Sequence, residues 1–390
     1  MHKGPFEDLV QKLAHHFGDK PSRRKNLKRK HIPYYRHIQL SITLRHLGGG
    51  HPLDITDLHG ISTPQFYKMY WECIYALPDI LPIVFPINDL TALDALAVDF
   101  EKRSNGTMPN CVGALDGVPI EILQPFESEQ PDARSFYNRK GFFSLNAQCL
   151  CNAKRQFTFV SIEAKGNTND SLAILMSTFG QDLVNGKLPP PFYIMGDEAY
   201  KGIAPDSIIC PYPGKLLEAK KDNFNYYQSL TRNNVECSFG ILFRRFGVLR
   251  KPLTVSLLGD KLIEGDASLD APRKTPGHAV ALFMACCSLH NYCIDVSGND
   301  EVPQRTPFTE YDDGTREFDD VDHDFELRTT SDILSGDALD NGESDMSLSE
   351  EVIIGANYNG DRRDQLAQHV KALGAVRPHH SNYSKRVNVP

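Results

Sequence analysis

The chain lacks the marks of several protein classes. It has no continuous apolar run near the roughly 18 residues a membrane-spanning helix needs. Its first residues, Met1-His2-Lys3-Gly4-Pro5, contain no apolar signal core, so neither secretion nor a membrane is expected. The nine cysteines form no C-x-x-C pair, which removes the usual zinc-cluster spacing. Six of them (Cys149, Cys151, Cys237, Cys286, Cys287, Cys293) fall in apolar segments and read as buried, reduced thiols of an intracellular protein. There is no G-x-S-x-G elbow, phosphate-binding P-loop or dinucleotide fingerprint. His15-His16 and His379-His380 are adjacent pairs in expected loops, not ligands on one helical face.

Hydrophobic residues make up 41% and charged residues 24% of 390, the composition of a globular protein with a substantial core. The net charge of −8 hides an asymmetry. Residues 300–351 hold 18 acidic and 3 basic side chains, a net of −15, so the remainder is near +7. A cationic body with an acidic tail fits a nucleic-acid partner.

Four regions follow from the pattern. Residues 1–35 form a basic arm: a short amphipathic stretch from Phe6 to Phe17, then Arg23, Arg24, Lys25, Lys28, Arg29 and Lys30. That cluster reads as a nuclear address or a phosphate-binding arm. Residues 36–107 read as helices. Gly60-Ile61-Ser62 joins a short helix to a longer one from about Pro64 to Leu77. The pair is either a helix-turn-helix, with Gln65 and Lys68 exposed toward a groove, or a structural packing unit. Residues 108–298 carry strands at 112–122, 142–151 and 156–162, a helix at 170–179, a strand at 192–196, and helices at 231–249 and 279–295. This order predicts an α/β core around one mixed sheet, in a ribonuclease H-like architecture. Residues 299–390 form an acidic tail poor in core residues and expected to be mostly disordered, with a short marginal helix at 361–373.

Two of the predicted strands carry an anomaly. Asp116 interrupts Val112-Gly113-Ala114-Leu115-Asp116-Gly117-Val118, and Asp197 ends Phe192-Tyr193-Ile194-Met195-Gly196-Asp197. A carboxylate in a strand buried on both faces is costly unless it is paired or binds a metal. On the helix at 231–249, Val235, Phe239, Leu242, Phe246 and Leu249 share one face, and Glu236 lies at its boundary. Three converging acids suit divalent cations, and two such ions about 3.5–4 Å apart can activate water and stabilise a leaving oxygen in phosphodiester cleavage.

Several segments then resemble one family in order and spacing. They are Gly113-Ala114-Leu115-Asp116-Gly117; Phe136-Tyr137-Asn138-Arg139-Lys140-Gly141-Phe142-Phe143-Ser144-Leu145-Asn146; Asn169-Asp170-Ser171; Gly196-Asp197-Glu198-Ala199-Tyr200; Arg232-Asn233-Asn234-Val235-Glu236; and Leu289-His290-Asn291. Over residues 36–298 the chain is similar to the PIF/Harbinger transposases and Harbinger-derived nucleases, a branch of the DDE superfamily. The resemblance implies that Asp116, Asp197 and Glu236 are the catalytic triad, binding Mg²⁺ or Mn²⁺, two ions in all, and cutting DNA. Asp170 matches the acid of a His-Asp-Ser element in which Asn169 replaces the His, and is an accessory ligand or a helix cap. Arg232, one turn before Glu236, orients that acid or touches a phosphate. Arg139 and Lys140 are phosphate contacts or surface charges. Ala199 departs from the family's usual Gly. The resemblance also implies a Myb-like partner protein that helps DNA recognition and nuclear entry. The alternative is a catalytically silent DNA-binding or scaffold protein that keeps the fold. The sequence leaves the oligomeric state open.

Overall fold

A computed structural model describes residues 2–18, 35–125, 132–253, 277–297 and 361–377. The basic cluster from Arg23 to Lys30 and the acidic stretch 300–351 lie outside the described residues.

Five helices come first: α1 (Lys3–His16), α2 (Tyr35–Leu47), α3 (Pro52–His59), α4 (Thr63–Ile80) and α5 (Leu90–Arg103). Strands β1 (Cys111–Glu121), β2 (Ser144–Cys151) and β3 (Phe157–Lys165) follow, then α6 (Asp170–Met176), α7 (Thr178–Val184), β4 (Tyr193–Met195) and β5 (Ile208–Ile209). Helices α8 (Ala219–Arg245), α9 (His278–Ser297) and α10 (Asp361–Ala372) complete the described elements. The sheet order is β3-β2-β1-β4-β5. β1 and β3 run antiparallel to β2, whereas β4 is parallel to β1 and β5 to β4. The mixed α/β sheet places β1 beside β4, as expected for a DDE nuclease fold.

Both faces of the sheet are covered, which explains why its strands read as near-continuous apolar runs. Val112, Leu115, Leu150 and Ile194 pack with Ile174, Phe179 and Leu183 of α6 and α7. Ala114, Val118, Cys149 and Met195 belong to the other cluster, with α8 and α9. That second cluster continues without interruption into Leu9, Leu40, Phe66 and Leu77. The expected boundary at residue 107 is therefore no break in packing: α4 lies against α9, and α1 against α2 and α4.

Between α3 and α4, Gly60 takes a left-handed conformation (φ 61°) and the Ser62 hydroxyl accepts from the Gln65 amide. Lys68 is exposed as expected, but Gln65 is half-buried. Further differences have local causes. The helix expected at 170–179 breaks at Ser177, whose hydroxyl accepts from the Gly180 amide and starts α7. A Cβ on Gly180 would stand 2.0 Å from the Ile174 carbonyl oxygen, so only glycine permits this join. The helix expected from Thr231 begins at Ala219, because its polar first half is held by tertiary contacts. α9 is 20 residues long and apolar enough by length and composition to cross a bilayer, although Ser288, His290 and Asn291 interrupt its apolar run. It is a core helix: most of it is buried, including Ser288 and His290.

The tail also departs from expectation. The helix α10 is docked, with Leu366, Ala367 and Val370 buried against the body. Arg363 lies over the Tyr212 ring at 4.1 Å, and the Tyr212 hydroxyl donates to Asp364. Arg377, just beyond, pairs with Asp222 of α8 at 2.9 Å. Residues 361–377 thus belong to the fold.

Candidate active site

The strand register sets the first two acids side by side. Ala114 pairs with Met195 across the parallel β1–β4 junction, and Asp116 and Asp197 each lie two residues further on. β4 ends at Met195, which leaves Asp116 at an open edge of β1. Along β1 the alternation puts Asp116 on the face of Ala114 and Val118, toward α8. Glu236 meets it from that helix, about half exposed rather than at the buried boundary.

Arg232 joins the two sides. Its Nη1 lies 3.2 Å from Asp116 Oδ2, and its Nη2 lies 2.5 Å from Glu236 Oε1, one helical turn on. Both of the acids it contacts are candidate site residues. The Gly117 amide donates to Asp116 Oδ1 at 2.9 Å. Burial pushes the Asp116 carboxyl up to about 7; Arg232 pulls down, and Asp197 and Glu236 push up. Asp197 is also raised, by burial first, while the Ala199 amide, Arg232 and Arg139 favour its charged form and Asp170 opposes it. Its Oδ1 accepts from the Ala199 amide at 2.9 Å, which starts the short 3-10 turn Glu198–Tyr200. Any residue except proline supplies that amide, so alanine serves there as glycine would.

Asp170 approaches from the other face of β1. Asn169, not Asp170, caps α6 by accepting from the Leu172 amide. Asp170 Oδ1 instead accepts from Asn146 at 3.0 Å and from Gln148 at 2.9 Å. The buried Tyr200 hydroxyl completes this net by donating to Gln148 Oε1 at 2.7 Å. A Cβ on Gly117 would stand 2.2 Å from Asp170 Oδ1, so glycine is what lets this acid approach the strand. Gln148 lies outside the sequence motifs that point to the site. Its signal is local: Ser144, Asn146 and Gln148 are three polar residues at period two in an otherwise apolar strand.

The other predicted contacts divide. Arg139 is exposed and acts electrostatically on Asp197, whereas Lys140 is exposed with its amide bound to Asn138. Leu289-His290-Asn291 is a fastening. Asn291 accepts from the Phe157 amide at 2.8 Å and donates to its carbonyl at 2.7 Å, capping the start of β3. His290 Nε2 donates to the Arg155 carbonyl (2.8 Å), and Nδ1 accepts from Arg245 (3.2 Å). Burial and Arg245 bring the His290 pKa down to about 4.

A hard divalent cation prefers oxygen donors, and the site offers four carboxylates whose charges bear on one another. The donor chemistry fits such an ion. Among the described residues, however, no three His, Cys, Asp or Glu side chains stand close enough to hold one, and Arg232 bridges Asp116 and Glu236 instead.

Residues 115–291 match the family described as DDE superfamily endonuclease, a span that contains all three acids and the His290-Asn291 fastening. This segment is a DDE superfamily endonuclease domain. The chain is also homologous to Harbinger-derived relatives, each titled "Putative nuclease HARBI1". Identity is 24% over 213 residues with the Mus musculus protein and 23% over 213 residues with that of Homo sapiens. It is 22% over 216 residues with that of Xenopus laevis. These alignments cover 54–55% of this chain and 53% of each relative, so the chain spans about half the length of the curated relatives it matches. No solved structure matches it.

Proposed function

We propose that this protein is a divalent-metal-dependent DNA endonuclease of the Harbinger transposase type, acting in DNA transposition or in a domesticated nuclease role. The observation that carries this reading is the grouping of Asp116, Asp197 and Glu236 at the edge of β1 left open beyond the end of β4, with Asp116 raised to about 7 beside two further acids. Asp116, Asp197 and Glu236 would hold Mg²⁺ or Mn²⁺, with Asp170 as an accessory group. When bound there, two such ions would supply activation of a water and charge stabilisation at the leaving 3′-oxygen. The protein's own groups prepare the site. Arg232 offsets the repulsion between Asp116 and Glu236. The Asn146–Gln148–Tyr200 net fixes Asp170, and Gln228, donating to the Gly196 carbonyl at 2.7 Å, ties α8 to the strand end before Asp197.

The test is Mn²⁺-dependent nicking of supercoiled plasmid by wild type and Asp116→Asn. Nicking by wild type alone is expected. Equal nicking by both proteins would remove Asp116 from the chemistry.

A second reading, a catalytically silent DNA-binding or scaffold protein, draws on the Arg232 bridge, which closes the gap between two acids as a structural ion pair would. On that reading, plasmid binding depends on salt but is indifferent to Asp116→Asn, and neither protein nicks. Under either reading we place the protein in the nucleus, on DNA, through the basic cluster at Arg23–Lys30 and with a Myb-like partner. Self-association would be read from solution mass.

A further inference from the structure

Arg155 is only 5% exposed, and its Nε is sealed from solvent with no hydrogen-bond partner. Its backbone is pinned in the left-handed region (φ 66°): its amide donates to the Asn152 carbonyl, and its own carbonyl accepts from His290. A guanidinium cannot shed its proton to escape burial, so a buried one without an anion is costly. Arg103 stands beside it. The Asp99–Lys154 ion pair (2.9 Å) clamps α5 to the β2–β3 turn, Arg103 lies one helical turn after Asp99, and Arg155 follows Lys154. Arg103 is half-buried, which opens the pair to solvent on one side. Burial first, and then Arg155, depress its pKa. Among the described residues, no hydrogen bond or ion pair joins either guanidinium to a carboxylate. Cys237 is an electrostatic neighbour of Arg103, and it follows Glu236 directly on α8.

We infer that Arg103 and Arg155 form an anion subsite that holds a backbone phosphate of bound DNA, where the end of α5 meets the β2–β3 turn. Two planar forks match the oxygens of a phosphate, and both guanidiniums keep their charge at any working pH. The source of that phosphate, DNA, rests on the endonuclease reading; the anion chemistry does not.

The test uses the full chain, inorganic phosphate and a short duplex oligonucleotide, without divalent metal. In phosphate-free buffer, Arg155→Gln and Arg103→Gln should each melt higher than wild type, because each removes an uncompensated cation. Added phosphate should raise the wild-type melting temperature and leave both variants unmoved. Each variant should also lower the slope of log affinity for the duplex against log salt by about 0.9, one phosphate contact. A lower melting temperature for Arg155→Gln with an intact phosphate response would make Arg155 a structural residue and overturn the subsite. A lost phosphate response with an unchanged salt slope would leave a free-anion site and overturn the DNA assignment. If Arg155→Gln does not fold, the half-exposed Arg103→Gln decides alone. Failure of the endonuclease reading appears separately, as absent nicking by wild type with the phosphate response intact.

Discussion

Two polar clusters, both within matched motifs, behave in opposite ways. In the fastening of α9 to β3, every polar atom has a complementary neighbour. Asn291 satisfies both backbone groups of Phe157, and neutral His290 gives its one N–H to a carbonyl and receives one from Arg245. At the acid cluster, like charges are gathered around one arginine and a buried carboxyl is driven up to about 7. The first arrangement holds the fold together. The second spends stability on a concentration of negative charge, which is useful only if something positive binds there. Motif position alone does not separate the two roles; the hydrogen-bond partners do.

The largest expected effect comes from Asp116. Its folded pKa, about 7, lies above its ordinary value of 3.8, so the native state binds more protons than the unfolded chain between those values. Stability without metal should therefore fall as pH rises from 4 to 7, by on the order of 4 kcal/mol from this group. Asp116→Asn should remove that loss, as denaturant titrations across the range will show. A slope unchanged by the substitution would mean Asp116 is already ionised at acid pH.

His290 should do the reverse. Its folded pKa, about 4, lies below the ordinary 6.5, so the unfolded chain binds more protons in that window. Stability should fall by about 3 kcal/mol as pH drops from 6.5 to 4. In wild type the two groups partly cancel, and Asp116→Asn should unmask the histidine. His290→Gln, which keeps a donor to the Arg155 carbonyl, should abolish the acid sensitivity that remains in that background.

A smaller effect is expected at the bridge. Arg232→Gln should lower metal-free stability at pH 8 by about 2 kcal/mol, since it leaves Asp116 and Glu236 to repel each other across a half-buried gap. The Mn²⁺-induced rise in melting temperature should then be larger than in wild type. A smaller rise would show that Arg232 assists the ion rather than standing in its place.

Much of this molecule was legible in its sequence. The strands announce themselves as apolar runs, and a carboxylate within one run and another closing a second mark Asp116 and Asp197 as candidates. The i, i+4, i+7 face of Val235, Phe239 and Leu242 fixed the helix that carries Glu236, although α8 ends at Arg245 and the expected last turn to 249 is a separate 3-10 turn. Other features carried no local signal. The first half of α8 is polar, with Lys220, Lys221, Asp222 and Asn223 in succession, and it is helical because Asn225 clasps Tyr212 while Arg377 reaches Asp222. The helix α10 reads as marginal on its own, since a short polar helix is unstable in water without a packed face. It gains that face from Leu366, Ala367 and Val370 against residues more than a hundred positions earlier.

The sequence by itself determined the elements and the chemical types in them, because periodicity and the cost of a buried charge are local properties of the chain. Only the tertiary structure decided who meets whom. It set Asp116 level with Asp197 through the β1–β4 register, gave Arg232 to two acids, fixed Asp170 with Gln148 and Tyr200, and left the Arg155 Nε buried without a partner. Those outcomes depend on contacts between residues far apart in sequence, and no local pattern specifies which distant side chain fills a given gap.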